Sequence, residues 1–185
     1  MARDAEATRE RLLLAACDEF SRVGHAGARV ERIATAAGTN VRMIYAYFGD
    51  KSALFDASLA HLVREMAEAV PPRPEDMPGW AAALVEHHDR DPRALRVSMW
   101  AQLERPETTI EPLEVYAAKV ATVASAAATG LLPADVLMFV YAIAQAWHLS
   151  PAGLAAEGSI TTSARAEAAR IAVERLVRGS GPGIA

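Results

Sequence analysis

The amino-acid sequence predicts an all-α protein, with about nine helices shared between a small N-terminal domain and a larger helical domain. Hydrophobic residues recur every three or four positions along most of the chain, as they do on one face of a helix. No segment shows the alternation of polar and apolar residues that marks a half-buried strand. Hydrophobic residues make up 52% of the 185 residues and charged residues 23%, which is sufficient for a packed core.

The first part of the chain contains four helical patterns, separated by glycines and by residues that favour helix caps. Each pattern is short enough that its helix must pack on a neighbour to be stable. The predicted elements are a first helix over about residues 5–23 ending at Gly24, a second in "RVERIATAAG" ending at Gly38, a third over 41–48 with Asn40 as N-cap, and a fourth that follows Gly49 and that Asp50 caps.

A proline-rich break, "PPRPEDMPG" at residues 71–79, closes the fourth helix and separates the two parts of the chain. Five more helices follow in the prediction. The segment "SPAGLAAEGS" is predicted to be a loop and the tail "GSGPGIA" to be frayed. The predicted helices lie in "WAAALVEHHDR", in "PRALRVSMWAQLE", in "PLEVYAAKVATVASAAAT" ending at Gly130, from Pro133 to Leu149, and from about Thr162 to Arg178.

Composition excludes several classes of protein. The net charge of −4 excludes nucleic-acid binding by bulk positive charge, although a local basic site stays possible. A single cysteine, Cys17, excludes an internal disulfide and fits a reducing compartment. The N-terminus lacks the apolar core of an export signal, and the apolar stretch at 136–149 is too short to cross a bilayer. We therefore expect a soluble cytoplasmic protein with no membrane partner.

The segment "AGTNVRMIYAYF" has the pattern of a helix-turn-helix motif, because a glycine-containing turn joins two short helices. At about 100° per residue, Ile44 and Phe48 face inward, while Arg42 and its neighbours Met43 and Ala46 face outward. Tyr45 and Tyr47 lie on the two flanks. Such a face fits the major groove of DNA.

Each exposed side chain of this face has a chemistry that suits DNA. Arginine pairs with guanine edges, and Met43 or Val41 can contact a thymine methyl group. The flanking tyrosines can donate hydrogen bonds to phosphates, and Lys51 lies where the next helix begins. The competing interpretation is an ordinary helical hairpin whose tyrosines pack on a neighbour. Residues 1–56 hold eight basic and eight acidic side chains, so DNA binding must depend on localised contacts.

The stretch "TRERLLLAACDEFSRVGHAGARVERIATAAGTNVRMIYAYFGDKSALF" resembles the DNA-binding domain of TetR-type transcriptional regulators. The resemblance lies in "IA..AG" from Ile33 to Gly38, "IY.YF" from Ile44 to Phe48, and "K..L" from Lys51 to Leu54. It implies that residues 40–47 face an operator and that Tyr45 and Lys51 hold the DNA backbone. The implied DNA-binding residues are Arg29, Asn40, Val41, Arg42, Met43, Tyr45, Tyr47 and Lys51.

Two residues depart from the pattern of that family. Arg29 stands where the family usually has a threonine or serine cap, and Arg42 stands where a small residue is common. Both departures are compatible with the fold that the resemblance implies. The second adds a base or phosphate contact.

The resemblance also implies a division into a DNA-binding domain, residues 1–56, and a ligand-binding and dimerisation domain, residues 57–185. The helix "VLMFVYAIAQAWHL" is apolar nearly all round, so it must be covered on every side. Either a second subunit covers one face, or this is the central helix of a monomer. The predicted dimer interface comprises Leu137, Phe139, Val140, Ile143, Ala168, Ile171, Ala172 and Leu176.

Aromatic and methionine side chains in the larger domain predict a site for a small, mostly apolar effector. The competing interpretation is that each belongs to an ordinary core. "HHDRD" at residues 87–91 is predicted to bind no metal, since adjacent histidines on a helix point about 100° apart. The predicted pocket residues are Trp80, His87, Met99, Trp100, Leu103, Tyr116, Tyr141 and Trp147.

The sequence thus predicts a homodimeric repressor that binds a palindromic operator and is released by a small molecule, without a cofactor. The alternative is an all-helical carrier or enzyme. The sequence contains no glycine-rich phosphate loop, no His-Glu metal motif and no nucleophile elbow, and a carrier leaves the Arg42 to Tyr47 face unexplained.

Overall fold

The computed structural model describes residues 2–107, 113–124, 131–158 and 161–178, and every regular element in these ranges is a helix. A single 3-10 turn, Pro74–Asp76, lies in the proline-rich break. The α-helices are α1 (Ala2–Gly27), α2 (Val30–Ala36), α3 (Val41–Phe48), α4 (Lys51–Ala69), α5 (Met77–Arg90), α6 (Arg93–Glu104), α7 (Leu113–Val123), α8 (Pro133–Leu149), α9 (Ala152–Glu157) and α10 (Thr162–Arg178).

The all-α prediction is confirmed, with one additional helix. The segment predicted as a loop contains α9, a short alanine-rich helix that follows Pro151 and ends before Gly158. Alanine and leucine favour the helix there, and the flanking proline and glycine hid it in the sequence. The C-terminal end of the predicted seventh helix at 125–130 and the tail at 179–185 lie outside the described residues.

The chain forms two compact units that are not continuous in sequence. The first unit comprises residues 1–65 and 92–112, and the second comprises residues 66–91 and 113–185. Helix α6 therefore belongs with the N-terminal helices, although α5 and α7, its neighbours in sequence, belong to the second unit. Residue 56 as a boundary between a DNA-binding and a ligand-binding domain stays a prediction.

In the first unit, the core forms where α1, α4 and α6 meet. Phe20 of α1 and Phe55 of α4 are fully buried, and their rings pack edge to face with centroids 5.0 Å apart. Helix α6 packs along α1, where the Arg96 side chain donates a 2.7 Å hydrogen bond to the carbonyl of Ser21. Helix α2 packs on α1, and α3 packs on α2.

In the second unit, α5 packs against α8 and α10 around a core that includes Trp80. Trp80 is fully buried, and its indole N–H donates to the Val70 carbonyl at 3.1 Å, which satisfies its polar group. Helix α5 begins at a cap in which the Asp76 carboxylate accepts from the Gly79 N–H at 2.9 Å. None of the helices in the described ranges is long and apolar enough to cross a membrane.

Candidate nucleic-acid interface

The turn between α2 and α3 is set by Gly38, whose φ of +64° lies in the left-handed region. The Gly38 N–H donates a 3.1 Å hydrogen bond to the Thr35 carbonyl, and the Thr39 N–H donates a 2.9 Å hydrogen bond to the Ala34 carbonyl. This pair of bonds is a Schellman motif, which ends α2 and turns the chain toward α3. Asn40 is the N-cap residue of α3 as predicted, but its side chain makes no cap hydrogen bond.

Helix α3 has one buried side and one exposed side. Ile44 is fully buried, and Phe48 is half-buried beneath the Arg9 guanidinium, which lies 5.1 Å from the ring centroid. Arg42 and Tyr45 are exposed, and Tyr45 retains 51% of its accessible surface. The exposed side of α3 therefore presents Arg42 and Tyr45 to solvent, while Ile44 on the opposite side is packed in the core.

The start of α4 adds a second candidate contact for phosphate. The Asp50 carboxylate accepts a hydrogen bond from the Ala53 N–H at 2.8 Å, which caps the helix as predicted. Lys51 follows directly and is half-buried, in the first turn of α4. An ammonium group beside the positive end of a helix dipole favours an anion such as a phosphate.

The missing cap of α2 is replaced by a side chain from α1. Arg29 occupies the N-cap position without a side-chain bond, and the Glu19 carboxylate accepts from the Arg29 N–H at 3.2 Å. The same carboxylate accepts from Arg32 at 2.7 Å and pairs with Arg22. Burial by itself raises the pKa of Glu19, but the bonds from Arg32, Arg22 and the Arg29 N–H hold this pKa below 4.5.

Replacing Glu19 with glutamine is expected to lower the free energy of unfolding at pH 7 by about 1–2 kcal/mol, since bonds to a buried charge are lost. The folded pKa of Glu19 is depressed, so the stabilisation is present above pH 4.5 and is lost as the pH falls through the folded pKa. The difference between wild type and variant should therefore shrink below pH 4.5. Urea unfolding at several pH values measures it.

Glu167→Gln is the matched control, because the exposed Glu167 carboxylate also accepts a 2.7 Å hydrogen bond from an arginine, Arg170. A surface pair contributes little, so this variant should unfold like the wild type. Equal stability of the Glu19 variant and the wild type at pH 7 would contradict the capping role of Glu19.

The predicted DNA-facing residues all lie in the first unit, and none is buried. Arg29, Asn40, Arg42 and Tyr45 are exposed, whereas Val41, Met43, Tyr47 and Lys51 are half-buried. On α3, Ile44 is buried and Arg42 and Ala46 are exposed, as the sequence placed them, whereas Met43 and Phe48 are both half-buried. Their contact with DNA stays a prediction.

Two residues at the end of α6, Glu104 and Arg105, bind other helices of this unit and were not predicted from the sequence. The Glu104 carboxylate accepts from the N–H groups of His25 and Ala26, at 2.7 and 3.0 Å. Arg105 donates to the Asp56 carboxylate at 2.9 Å and lies 5.1 Å from the Phe55 ring centroid. These contacts join residues about fifty or more positions apart in the chain, so no local pattern could have revealed them.

The predicted pocket residues do not lie in one unit. Met99, Trp100 and Leu103 are on α6 in the first unit, and Leu103 is 73% exposed. The others lie in the second unit, where Trp80 belongs to the core and packs edge to face on Tyr141 at 5.8 Å. His87, Tyr116, Tyr141 and Trp147 are half-buried there.

The predicted interface residues divide between the core and the surface. Leu137 and Val140 are buried in the core of their own unit, and Ile143 packs against that core. Phe139 is 46% exposed, beside Met138 at 58%. The exposed apolar face of α8 thus includes Phe139, which was predicted, and Met138, which was not. On α10 the predicted residues are half-buried, and they are Ala168, Ile171, Ala172 and Leu176.

Comparison with known families agrees with this architecture. Residues 12–58 match the model of bacterial regulatory proteins of the tetR family. Residues 76–178 match the tetracyclin repressor-like C-terminal domain, which is more than half of the chain. The fold and the α3 face thus define a helix-turn-helix regulator of transcription.

Individual relatives give the same result. The HTH-type transcriptional repressor SCO4008 of Streptomyces coelicolor is 38% identical over 154 residues, which cover 79% of this chain and 80% of that protein. The crystal structure of SCO4942 from Streptomyces coelicolor superposes with a TM-score of 0.79 at 34% identity, covering 90% of this chain and 96% of that one. NalD, the secondary repressor of the MexAB-OprM efflux pump in Pseudomonas aeruginosa, shares the fold, with a TM-score of 0.61 at 21% identity over 95% of this chain and 98% of that one.

This chain belongs to the TetR family of transcriptional regulators. Members of this family are DNA-binding regulators and not enzymes, as the sequence predicted.

Proposed function

We propose that this protein is a cytoplasmic, ligand-responsive repressor that binds a palindromic operator as a homodimer and leaves it when a small molecule binds. The observation that carries the proposal is the exposed face of α3 on a fixed helix-turn-helix frame, with Arg42 and Tyr45 directed to solvent. The similarity to the repressor SCO4008 over most of both chains supports repression.

In the proposed complex, α3 lies in the major groove. Arg42 forms a bidentate contact with a guanine edge, and the Tyr45 hydroxyl and Lys51 bind phosphates on either side of the groove. The near-neutral charge balance of residues 1–56 makes binding depend on these few contacts. We therefore expect a moderate salt dependence and a strong dependence on sequence.

The homodimer in this proposal forms through the outer face of α8. Met138, Phe139 and Leu149 are exposed there. Met138 and Leu149 are eleven residues apart, which places them on one side of the helix, and Phe139 is adjacent to Met138. Large apolar side chains grouped in this way mark an interaction surface. A two-fold axis between two copies would set the recognition helices about 34–36 Å apart, or a multiple of this, on an inverted repeat.

Release of the protein from its operator requires that ligand binding in the second unit changes the conformation of the first unit. The two units are joined covalently through α4, through the α5–α6 connection and after α6. Helix α6 holds His25 and Asp56 of the DNA-binding unit through Glu104 and Arg105. A ligand that favours a different position of these connections lowers operator affinity, and the operator must lower ligand affinity by the same factor.

Changing Arg42 to alanine is expected to weaken operator binding by about 1–3 kcal/mol, because a bidentate base contact is lost. Tyr45→Phe should weaken it less, because one phosphate hydrogen bond is lost. Both side chains are exposed, so thermal stability should hardly change. The measurement is fluorescence anisotropy with the operator, which a gel-shift screen of the DNA flanking the gene would identify.

Arg73→Ala is the matched control, because Arg73 is an exposed arginine of the second unit. It removes the same charge without touching α3 and should retain wild-type affinity. Wild-type affinity of both the Arg42 and the Tyr45 variants would show that α3 is not the recognition helix.

A further inference from the structure

The second unit encloses two polar side chains that the described residues satisfy only in part. Lys119 of α7 is 4% exposed, and His88 of α5 is fully buried. Most lysines keep the ammonium group in water, and buried charges are normally paired. Two such groups in one small core therefore require an explanation.

Lys119 has a neutral partner. Its ammonium donates a 2.6 Å hydrogen bond to the Tyr141 hydroxyl and lies 5.2 Å from the centroid of that ring. No acidic side chain in the described ranges forms an ion pair with it, and burial lowers the pKa of Lys119 from 10.5 to about 8. At pH 7 the side chain is thus mainly a cation without a counter-ion.

His88 has no partner for either ring nitrogen among the described residues. Burial, followed by the neighbouring His87 and His148, lowers the pKa of His88 to about 4, and the charge of Lys119 acts in the same direction. His88 is therefore neutral at pH 7, with an N–H donor and a nitrogen acceptor unused. Each unsatisfied buried group costs free energy that a bound acceptor or donor would recover.

The two groups both contact α8, Lys119 through Tyr141 and His88 through His148. Trp80 of α5 contacts Tyr141 of α8 edge to face, and His88 lies 6.2 Å from His148 between ring centroids. Tyr141 and His148 are seven residues apart, which places them on the same side of α8 about 10 Å apart. Lys119 and His88 therefore lie against the same side of α8, about two helical turns apart.

We propose that the effector of this protein is an organic anion, whose carboxylate or similar group binds Lys119 and Tyr141 and whose apolar body lies along α5 and α8 toward His88. This inference rests on the proposed ligand-responsive function and specifies its chemistry. The anion supplies the counter-charge that Lys119 lacks. Because Lys119 and His88 are enclosed, the anion reaches them only when α7 moves away from α5 and α8, which couples binding to a change of conformation.

The test uses the full-length protein and three probes of one shape, which are 2-naphthoate, the uncharged 2-naphthamide and the cation 2-naphthylmethylammonium. Titration calorimetry should show that the naphthoate binds about tenfold to a hundredfold more tightly than the amide, and the cation more weakly still. Lys119→Met, which keeps the length of the side chain, should abolish this preference. Removal of an unpaired buried charge should not unfold the domain.

Arg175→Met is the matched control, because Arg175 is an exposed cation of the same unit, on α10. This variant should keep the preference for naphthoate. An amide or cation that binds the wild type as tightly as naphthoate, a preference that survives Lys119→Met, or failure of all three probes to bind would each overturn the inference.

Proton uptake is an independent readout. A bound anion raises the pKa of Lys119, so naphthoate binding at pH 8 should take up protons in the wild type and not in Lys119→Met. The other titratable or charged groups near the site are His87, His88 and Asp89 on α5, Tyr116 on α7, Tyr141 and His148 on α8, and Arg165 on α10, and they are the same in both proteins. If naphthoate shows the expected preference but leaves operator affinity unchanged, the proposed release mechanism fails and the anion site stands.

Discussion

Replacing Phe139 with glutamate is expected to make the protein monomeric and to lower operator affinity by at least about a hundredfold, because bivalent binding is lost. Phe139 is 46% exposed on the outer face of α8, beside Met138. A carboxylate buried in an apolar interface between two copies would lack a partner. Its exposure in the single chain means that the fold of the unit should survive. Light scattering measures the mass, and anisotropy measures the affinity for the operator.

Leu103→Glu provides the matched control, since Leu103 is an exposed leucine on α6 and not on α8. The same charge introduced there should leave a dimer with the wild-type mass. A dimeric Phe139→Glu variant, or a monomeric wild type that binds the operator tightly, would contradict the α8 interface.

Gly24→Ala is expected to lower the free energy of unfolding by about 3 kcal/mol, because it combines backbone strain with overpacking. Gly24 interrupts α1 with a φ of +73°, in the left-handed region. A Cβ atom there would lie 2.8 Å from a carboxylate oxygen of Glu104 and 2.8 Å from Cδ2 of Trp100. Movement of Glu104 would also break its hydrogen bonds to the N–H groups that follow Gly24.

Gly38→Ala separates the contribution of backbone strain from that of overpacking. Gly38 has a φ of +64°, but a Cβ atom there would meet nothing within 4 Å. The expected loss is about 1 kcal/mol, from backbone strain alone. Urea unfolding of both variants measures the difference. Equal losses of unfolding free energy at the two positions would show that overpacking against Glu104 and Trp100 adds nothing at Gly24.

The sequence by itself determined the helices and the turn of the DNA-binding motif, because their signals are local. Gly38 permits a left-handed residue, and Asp50 reaches the N–H of a residue three positions on. The inward and outward sides of α3 follow from the helical period, so Ile44 and Arg42 could be assigned without a structure. Helix α9 was not predicted, because Pro151 and Gly158 carry the signals of a loop.

The tertiary structure alone decided which face of α8 is exposed. A helix that is apolar nearly all round has no periodicity that separates its core side from its outer side. Leu137, Phe139, Val140 and Ile143 were therefore all predicted to lie in an interface. The structure buries Leu137 and Val140 and exposes Phe139, together with Met138, which was not predicted. Helix α6 posed the same difficulty, because nothing in its sequence indicates that it packs on α1 in the first unit.

The polar partnerships could not be predicted from the sequence, because each joins two different helices. Glu19 caps α2 from α1, Glu104 binds the backbone after Gly24 from α6, and Lys119 of α7 pairs with Tyr141 of α8. A hydrogen bond depends on distance and direction in three dimensions, and the order of residues records neither. The sequence thus determined the helices and the class of protein, and the packing of those helices decided which side chains surround each buried charge.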